Sequence, residues 1–193
     1  MRGTRLRPDD ELCRAARLGS GLALVPDPSS LAIALGANWP GPAGTPRQTL
    51  QAVRPELEAL LQHWAQGPVT ASWSPLLETQ PVGGPAGQPC YCNAVVRVSG
   101  ELGAPSASSA LSLLDGLQAL ERQFGRDRAL EVRWGPRCLD LDLLFWDELR
   151  LEHPRLLLPH PRLHLRGFVL EPLLAAMQGT VSWPASHAGP IVD

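Results

Sequence analysis

The chain has 193 residues, 44% of them hydrophobic and 19% charged, enough for one domain with a substantial core and too few for two full ones. A formal net charge of −2 denies it the broad basic face on which non-specific nucleic-acid binders depend, so any anion must be recognised locally. All 17 positive side chains are arginine, which excludes a P-loop, whose phosphates are held by a lysine, yet leaves phosphate chemistry open through guanidinium forks.

Residues 1–30 are charged at first and then pass through Pro26-Asp27-Pro28-Ser29-Ser30, a linker-like stretch, so they read as a poorly ordered N-terminal extension. The domain is expected over 31–178, with 179–193 as a tail. Leu31–Leu35 suits a buried strand and Gly36–Pro42 a loop. Thr45 can cap a helix with Pro46 at its first position, and Leu50, Val53, Leu57, Leu60, Leu61 and Trp64 form its apolar stripe, with Pro55 expected to kink or split it.

Val69–Leu77 and Tyr91–Val98 have strand composition and flank a long loop, Thr79–Pro89. Ser106–Phe124 is the clearest helix, with Leu111, Leu114, Leu117, Leu120 and Phe124 on one face and Ser109 among its possible caps. An arginine-rich loop follows, then strand character over Arg137–Trp146, a loop over Pro159–Arg162, and a last helix over Phe168–Met177 that contains Pro172. The order β, α, β, β, α, β, α predicts an α+β fold of the ferredoxin-like type, with helices on one face of an antiparallel sheet.

Cys13, Cys90, Cys92 and Cys138 form neither a C-x-x-C pair nor a disulfide scaffold. No apolar run approaches the ~20 residues needed to cross a bilayer, and charges interrupt the N-terminus where a signal peptide would need an apolar stretch. A cytoplasmic protein, with no membrane and no nucleic-acid partner, is the expectation.

The sharpest chemical signal is Arg137-Cys138-Leu139-Asp140-Leu141-Asp142-Leu143-Leu144. Strand alternation puts Asp140 and Asp142 on one face and the leucines on the other, with the acids about 6.6 Å apart at Cα, close enough to share or bracket hard cations such as Mg²⁺. The pattern equally fits a strand with one solvated face. Arg126, Arg128, Arg133 and Arg137 lie just upstream, and arginines beside a metal-binding pair suit a polyanion held between them, as in phosphoryl transfer from a nucleoside triphosphate. Two other classes compete. A glycosyltransferase can use an Asp-x-Asp pair but would want a larger parallel sheet, and in a binding module the acids and arginines would be surface ion pairs of little weight.

Several motifs in order sharpen this: Leu35-Gly36-Ala37-Asn38, Gln88-Pro89-Cys90-Tyr91-Cys92-Asn93-Ala94-Val95, Gly125-Arg126, Arg133 to Asp142, Leu158-Pro159-His160-Pro161-Arg162 and Arg166-Gly167-Phe168. Together they closely resemble the 6-hydroxymethyl-7,8-dihydropterin pyrophosphokinases of folate synthesis, over about Leu31 to Met177. The resemblance implies transfer of a pyrophosphoryl group from ATP to the pterin hydroxymethyl, releasing AMP. It makes Asp140 and Asp142 ligands of two Mg²⁺ ions and Arg126 and Arg137 the arginines that hold and stabilise the transferring group.

The same resemblance implies nucleotide-side contacts from Gln118, Glu121, Leu143, His160 and Arg166. It assigns Tyr91 and Phe168 to a sandwich around the pterin ring, Asn93 to its hydrogen-bonding edge, and Thr79, Val82 and Trp134 to the same pocket. Departures from the pattern are Ala129-Leu130 in place of a frequent lysine, a loop one residue longer before Trp134, Ala37 for a frequent serine and Pro161 for an aromatic. Arg128 or Arg133 would then supply the missing phosphate contact. A monomer or weak dimer is expected.

Overall fold

The computed structural model describes residues 29–179 and Trp183. The N-terminal extension up to residue 28, with Cys13, and the tail apart from Gly179 and Trp183 lie outside the described residues, so the expectation of poor order falls there too. In chain order the elements are β1 (Ser30–Ala37), α1 (Pro46–Trp64), β2 (Val69–Trp73), β3 (Leu77–Thr79), β4 (Tyr91–Gly100), α2 (Ala107–Gln123), β5 (Asp140–Trp146), β6 (Leu151–His153), β7 (Leu156–Leu158) and α3 (Gly167–Gln178). The antiparallel sheet runs β2-β4-β1-β5, with β3 on β4 beyond β2, and β6 and β7 make a separate hairpin. This is the ferredoxin-like α+β arrangement.

Local rules build the first helix as expected. Thr45 Oγ1 accepts from the Gln48 N–H at 3.3 Å and Gln48 Oε1 accepts from the Thr45 N–H at 2.8 Å, a reciprocal capping box. Pro55 does not split α1. It removes one backbone donor, but Thr49, Leu50 and Val53 before it and Leu57 and Leu61 after it are buried in the same core, which holds the two halves in line. In α2 the cap is Ser106 rather than Ser109, whose N–H instead donates to Ser106 Oγ at 3.2 Å.

The run expected as one strand over Val69–Leu77 breaks at Ser74. There the hydroxyl accepts from the Val95 N–H at 2.9 Å in place of a ladder carbonyl, and the chain restarts as β3. Strand β5 starts at Asp140, so Arg137 precedes it.

Alternation sorts the sheet into two faces. Leu31, Ile33, Leu35 and Ala37 of β1, Ala94, Val96 and Val98 of β4, and Leu139, Leu141 and Leu143 at and before β5 join α1 and α2 in the main core. Ala32, Val95 and Leu144 meet Val169 and Leu173 of α3 in a smaller cluster. The helices therefore cover both faces rather than one, because α3 returns to the side opposite α1 and α2. A register shift between Ala32 and Ile33 accommodates Leu144 as a bulged residue, which keeps Asp140, Asp142 and Leu144 on the α3 face.

The tail is not separate from the domain at Trp183. Its ring meets Trp73 at 5.1 Å and its Nε1 donates to the Ser74 carbonyl at 2.7 Å. No helix among the described residues is long and apolar enough to cross a membrane.

Candidate active site

The α3 face of the sheet carries a cavity of about 350 Å³, within the range of roughly 300–1,000 Å³ usual for small-molecule sites. Its floor follows from sheet register. Gly36 of β1 pairs with Asn93 of β4 on one side and with Asp140 of β5 on the other, and Ala34 pairs with Val95 and Asp142. A Cβ at position 36 would stand 3.3 Å from Asn93 Oδ1 and 3.8 Å from the Tyr91 ring, so glycine there, and alanine at 34, keep the floor low between the acids and the aromatic wall.

The cavity brings together most of the residues expected for the substrate: Thr79, Val82, Tyr91, Asn93, Trp134 and Phe168. Asn93 is buried and its Nδ2 donates to Thr79 Oγ1 at 2.8 Å, a bond that fixes the amide and leaves Oδ1 over Gly36. Trp134 stands in the left-handed region at φ 60°, with its indole under the guanidiniums of Arg133 at 4.8 Å and Arg162 at 5.1 Å. Gln88 Nε2 donates to the Trp134 carbonyl at 3.0 Å, which ties the 80–89 loop to the arginine loop. Arg166 lies over the Phe168 ring at 5.5 Å and 3.7 Å from Asp142 Oδ2.

On the acid side, Asp140 and Asp142 both line the cavity, as alternation predicts. Arg126 Nη1 bonds Asp140 Oδ1 at 2.5 Å and Arg137 Nη1 bonds Oδ2 at 3.1 Å. Burial by itself would raise the Asp140 carboxyl, but Arg126 and then Arg137 outweigh it and hold it below its ordinary value. The neighbour differs. Asp140 beside it, then burial, push Asp142 up to about 7, so the repulsion between the two acids exceeds what Arg166, 3.7 Å from Asp142 Oδ2, offsets.

That imbalance and the all-oxygen donors fit a hard cation. No group of three or more His, Cys, Asp or Glu among the described residues forms a protein-only cage, which suits Mg²⁺, an ion that takes one or two carboxylates and fills its shell with water and substrate phosphate.

The raised carboxyl sets a pH dependence. A group that holds its proton more tightly folded than unfolded costs stability as it is forced to ionise, so Asp142 should lower stability as pH rises from 3.8 to about 7. Melting temperatures measured against pH in a chelator should show this fall in the wild type and a flatter profile in Asp142→Asn. The same slope in both would contradict the placement of Asp142 against Asp140.

The expected nucleotide-side set is dispersed. Arg166 lines the cavity with Asp142. Gln118 is half-buried on α2 and is not part of the cavity wall. Leu143 turns its side chain into the main core, because alternation sends 141 and 143 to the face opposite the acids. His160 serves its own turn: its N–H donates to the Leu144 carbonyl at 2.7 Å and its Nδ1 accepts from the Arg162 N–H at 3.3 Å, while burial and then Arg166 lower its pKa.

Glu121 is buried to 1% exposure, pairs with Arg126 and Arg128, and is not part of the cavity wall. Of the two arginines considered for the missing lysine, Arg128 binds Glu121 at 2.6 Å and Arg133 stacks on Trp134. Ala37 belongs to the main core, so the absent serine hydroxyl removes nothing from the cavity.

Sequence reading missed Arg162 and Leu165, which line the cavity, and Glu131, which grips Arg126 with two bonds of 2.7 and 3.0 Å. Arg162 did carry a signal, since it lies four residues before Arg166.

Comparison with known proteins agrees with this geometry. The sequence model of the 7,8-dihydro-6-hydroxymethylpterin-pyrophosphokinase (HPPK) family matches residues 32–178. The chain is 42% identical over 143 residues to 2-amino-4-hydroxy-6-hydroxymethyldihydropteridine pyrophosphokinase of Pseudomonas aeruginosa, covering 73% of this chain and 76% of that protein. It is 40% identical over 141 residues to the enzyme of the same name from Haemophilus influenzae, covering 73% and 77%, and 39% identical over 120 residues to that of Bacillus subtilis, covering 62% and 66%. A match across the whole described domain, on a fold that brings the two acids, Arg137, Arg162, Arg166 and the aromatic pocket to one cavity, places this chain in the 7,8-dihydro-6-hydroxymethylpterin-pyrophosphokinase family.

Proposed function

We propose that this cavity transfers a pyrophosphoryl group from ATP to the hydroxymethyl of 6-hydroxymethyl-7,8-dihydropterin, releasing AMP, in folate biosynthesis. The observation that carries this reading is the register row that sets Asn93 and Asp140 on either side of Gly36. It puts an aromatic and amide pocket next to an acid pair bordered by arginines, on one floor.

Tyr91 and Phe168 enclose the flat pterin ring, and Asn93 Oδ1, fixed by Thr79, accepts from its N–H edge. Thr79, Val82 and Trp134 close that pocket. Asp140 and Asp142 hold Mg²⁺, two ions in this reading, which supply charge neutralisation to the phosphates when bound. Arg137 and Arg166 stand at the two acids and grip the triphosphate, and Arg126 stabilises the group in transit. Most of the acceleration then comes from alignment and fixed charge, with no covalent work for the chain.

The protein in this reading is a cytoplasmic monomer or weak dimer that meets two small molecules and neither nucleic acid nor membrane. The free thiols Cys90, Cys92 and Cys138 support a reducing compartment.

Ligand-induced stabilisation tests the reading, since binding to the native state raises the melting temperature by mass action. A non-hydrolysable ATP analogue with Mg²⁺ should stabilise the chain, and the pterin should add to it. A shift with a sugar nucleotide but not with the ATP analogue would favour a glycosyltransferase, and no shift with any nucleotide would favour a binding module.

A further inference from the structure

The cavity wall contains three arginines, Arg137, Arg162 and Arg166, and they are not equivalent. Arg137 pairs with Asp140 at 3.1 Å, and Arg166 lies 3.7 Å from Asp142. Arg162 has no carboxylate partner among the described residues; its guanidinium rests 5.1 Å from the centre of the Trp134 ring. Stacking on an indole face uses none of the guanidinium N–H donors, so this side chain keeps its hydrogen-bonding capacity for something that enters the cavity. Three guanidiniums against two carboxylates leave one positive charge in surplus even with both acids ionised, and the surplus belongs to Arg162.

The backbone beneath this exposed side chain is anchored to the strand that bears the acids. The Arg162 N–H donates to His160 Nδ1 at 3.3 Å, and its carbonyl accepts from the Leu165 N–H at 3.2 Å. The His160 N–H in turn donates to the Leu144 carbonyl at 2.7 Å, two residues beyond Asp142 on β5. A long cationic arm therefore extends from a fixed turn at a rim shared by the acid strand and the Trp134 wall. The other arginines that precede the acids offer no such group: Arg128 is held by Glu121, and Arg133 is not part of the cavity wall.

We propose that Arg162 binds the pyrophosphoryl group itself, donating to oxygens of the β and γ phosphates in ATP and of the same two phosphates in the pterin diphosphate. The proposal rests on the pyrophosphokinase reading of the cavity. In that reaction the pterin hydroxymethyl oxygen bonds to the β phosphorus and its proton leaves to solvent. The bond from the β phosphorus to the oxygen bridging the α phosphate breaks, and that oxygen leaves with AMP. The group that moves must lie where the acid side meets the aromatic pocket, and Arg162 reaches the pocket through Trp134 from a turn tied to β5. A guanidinium fork suits two adjacent phosphates, and it holds the group before and after transfer.

Arg162→Met keeps an unbranched side chain to lie on Trp134 but removes the charge and the donors. Calorimetric titration of the full chain with Mg²⁺ separates ligands that carry the group from those that lack it. An ATP analogue with a methylene between the α and β phosphorus atoms, and the pterin diphosphate, should each bind about tenfold or more weaker than to the wild type, the loss expected of a charge-assisted hydrogen bond. AMP and the hydroxymethyl pterin should bind within about threefold of the wild type. Arg162→Gln should give the same pattern and serves if the methionine variant does not fold. An unchanged affinity for the ATP analogue, an equal loss for AMP, or a loss confined to the hydroxymethyl pterin, which would make Arg162 a prop for Trp134, overturns this role alone. A wild type that binds neither the ATP analogue nor the pterin overturns the pyrophosphokinase reading and this proposal with it.

Discussion

Asp142→Ala should lower AMP formation by about 10³-fold, equivalent to ~4 kcal/mol of transition-state stabilisation, while the protein melts no lower than the wild type at neutral pH. The loss follows from what faces Asp142. Its carboxylate lines the cavity beside Asp140, and its positive neighbour Arg166 stands 3.7 Å away. Asp140 is already committed to Arg126 and Arg137, so Asp142 is the carboxylate of the pair with capacity left for a cation.

Folding should not suffer from this change, because removing Asp142 also removes its repulsion with Asp140, which the upward shift to about 7 expresses. Activity within about tenfold of the wild type would show that the acid pair does not hold the metal.

Arg126→Ala should behave in the opposite way and damage the fold as well as the reaction. The Arg126 side chain is 3% exposed and makes ion pairs with Glu121, Glu131 and Asp140. These carboxylates raise its pKa against the lowering effect of burial, with Asp140 the largest contributor. Deleting the guanidinium leaves Glu121 inside the protein with its other oxygen on Arg128 and no balancing charge at Oε1, a situation that costs about 3–5 kcal/mol. For a domain of this size the melting temperature should fall by roughly 10 °C. In the surviving folded protein kcat should fall further than the affinity for nucleotide, if Arg126 has the role proposed for it in stabilising the transferring group. A variant that melts with the wild type would mean that Arg126 is not inserted among these acids.

The two variants differ in a way the sequence by itself does not reveal. Asp140 and Asp142 were legible because strand alternation is strictly local: four residues suffice to say which side chains share a face. The capping box at Thr45 and Gln48 was legible for the same reason. By contrast, the carboxylates around Arg126 come from α2, the arginine loop and β5, and no spacing rule spans positions 121, 131 and 140.

Glu121 shows the difficulty well. Its helix position, three residues from Gln118, places both on neighbouring turns, but only the packed fold decides that Glu121 turns inward to the Leu141 amide. The side of the sheet that α3 would take was hidden too. Its apolar residues run nearly all round the helix, with Val169, Leu173 and Ala176 buried and Leu170, Leu174 and Met177 exposed, so no stripe marked the face. At Ser74 the strand break depends on a hydroxyl bonding a residue 21 positions away, which composition cannot signal.

The most direct measurement is AMP release by the full chain with Mg²⁺ and ATP, in the presence and absence of 6-hydroxymethyl-7,8-dihydropterin. Equal amounts of AMP and pterin diphosphate, with neither formed when the pterin is left out, are the predicted result. AMP formed regardless of the pterin, ADP formed in its place, or no reaction at all would contradict a cavity built to join one triphosphate to one pterin.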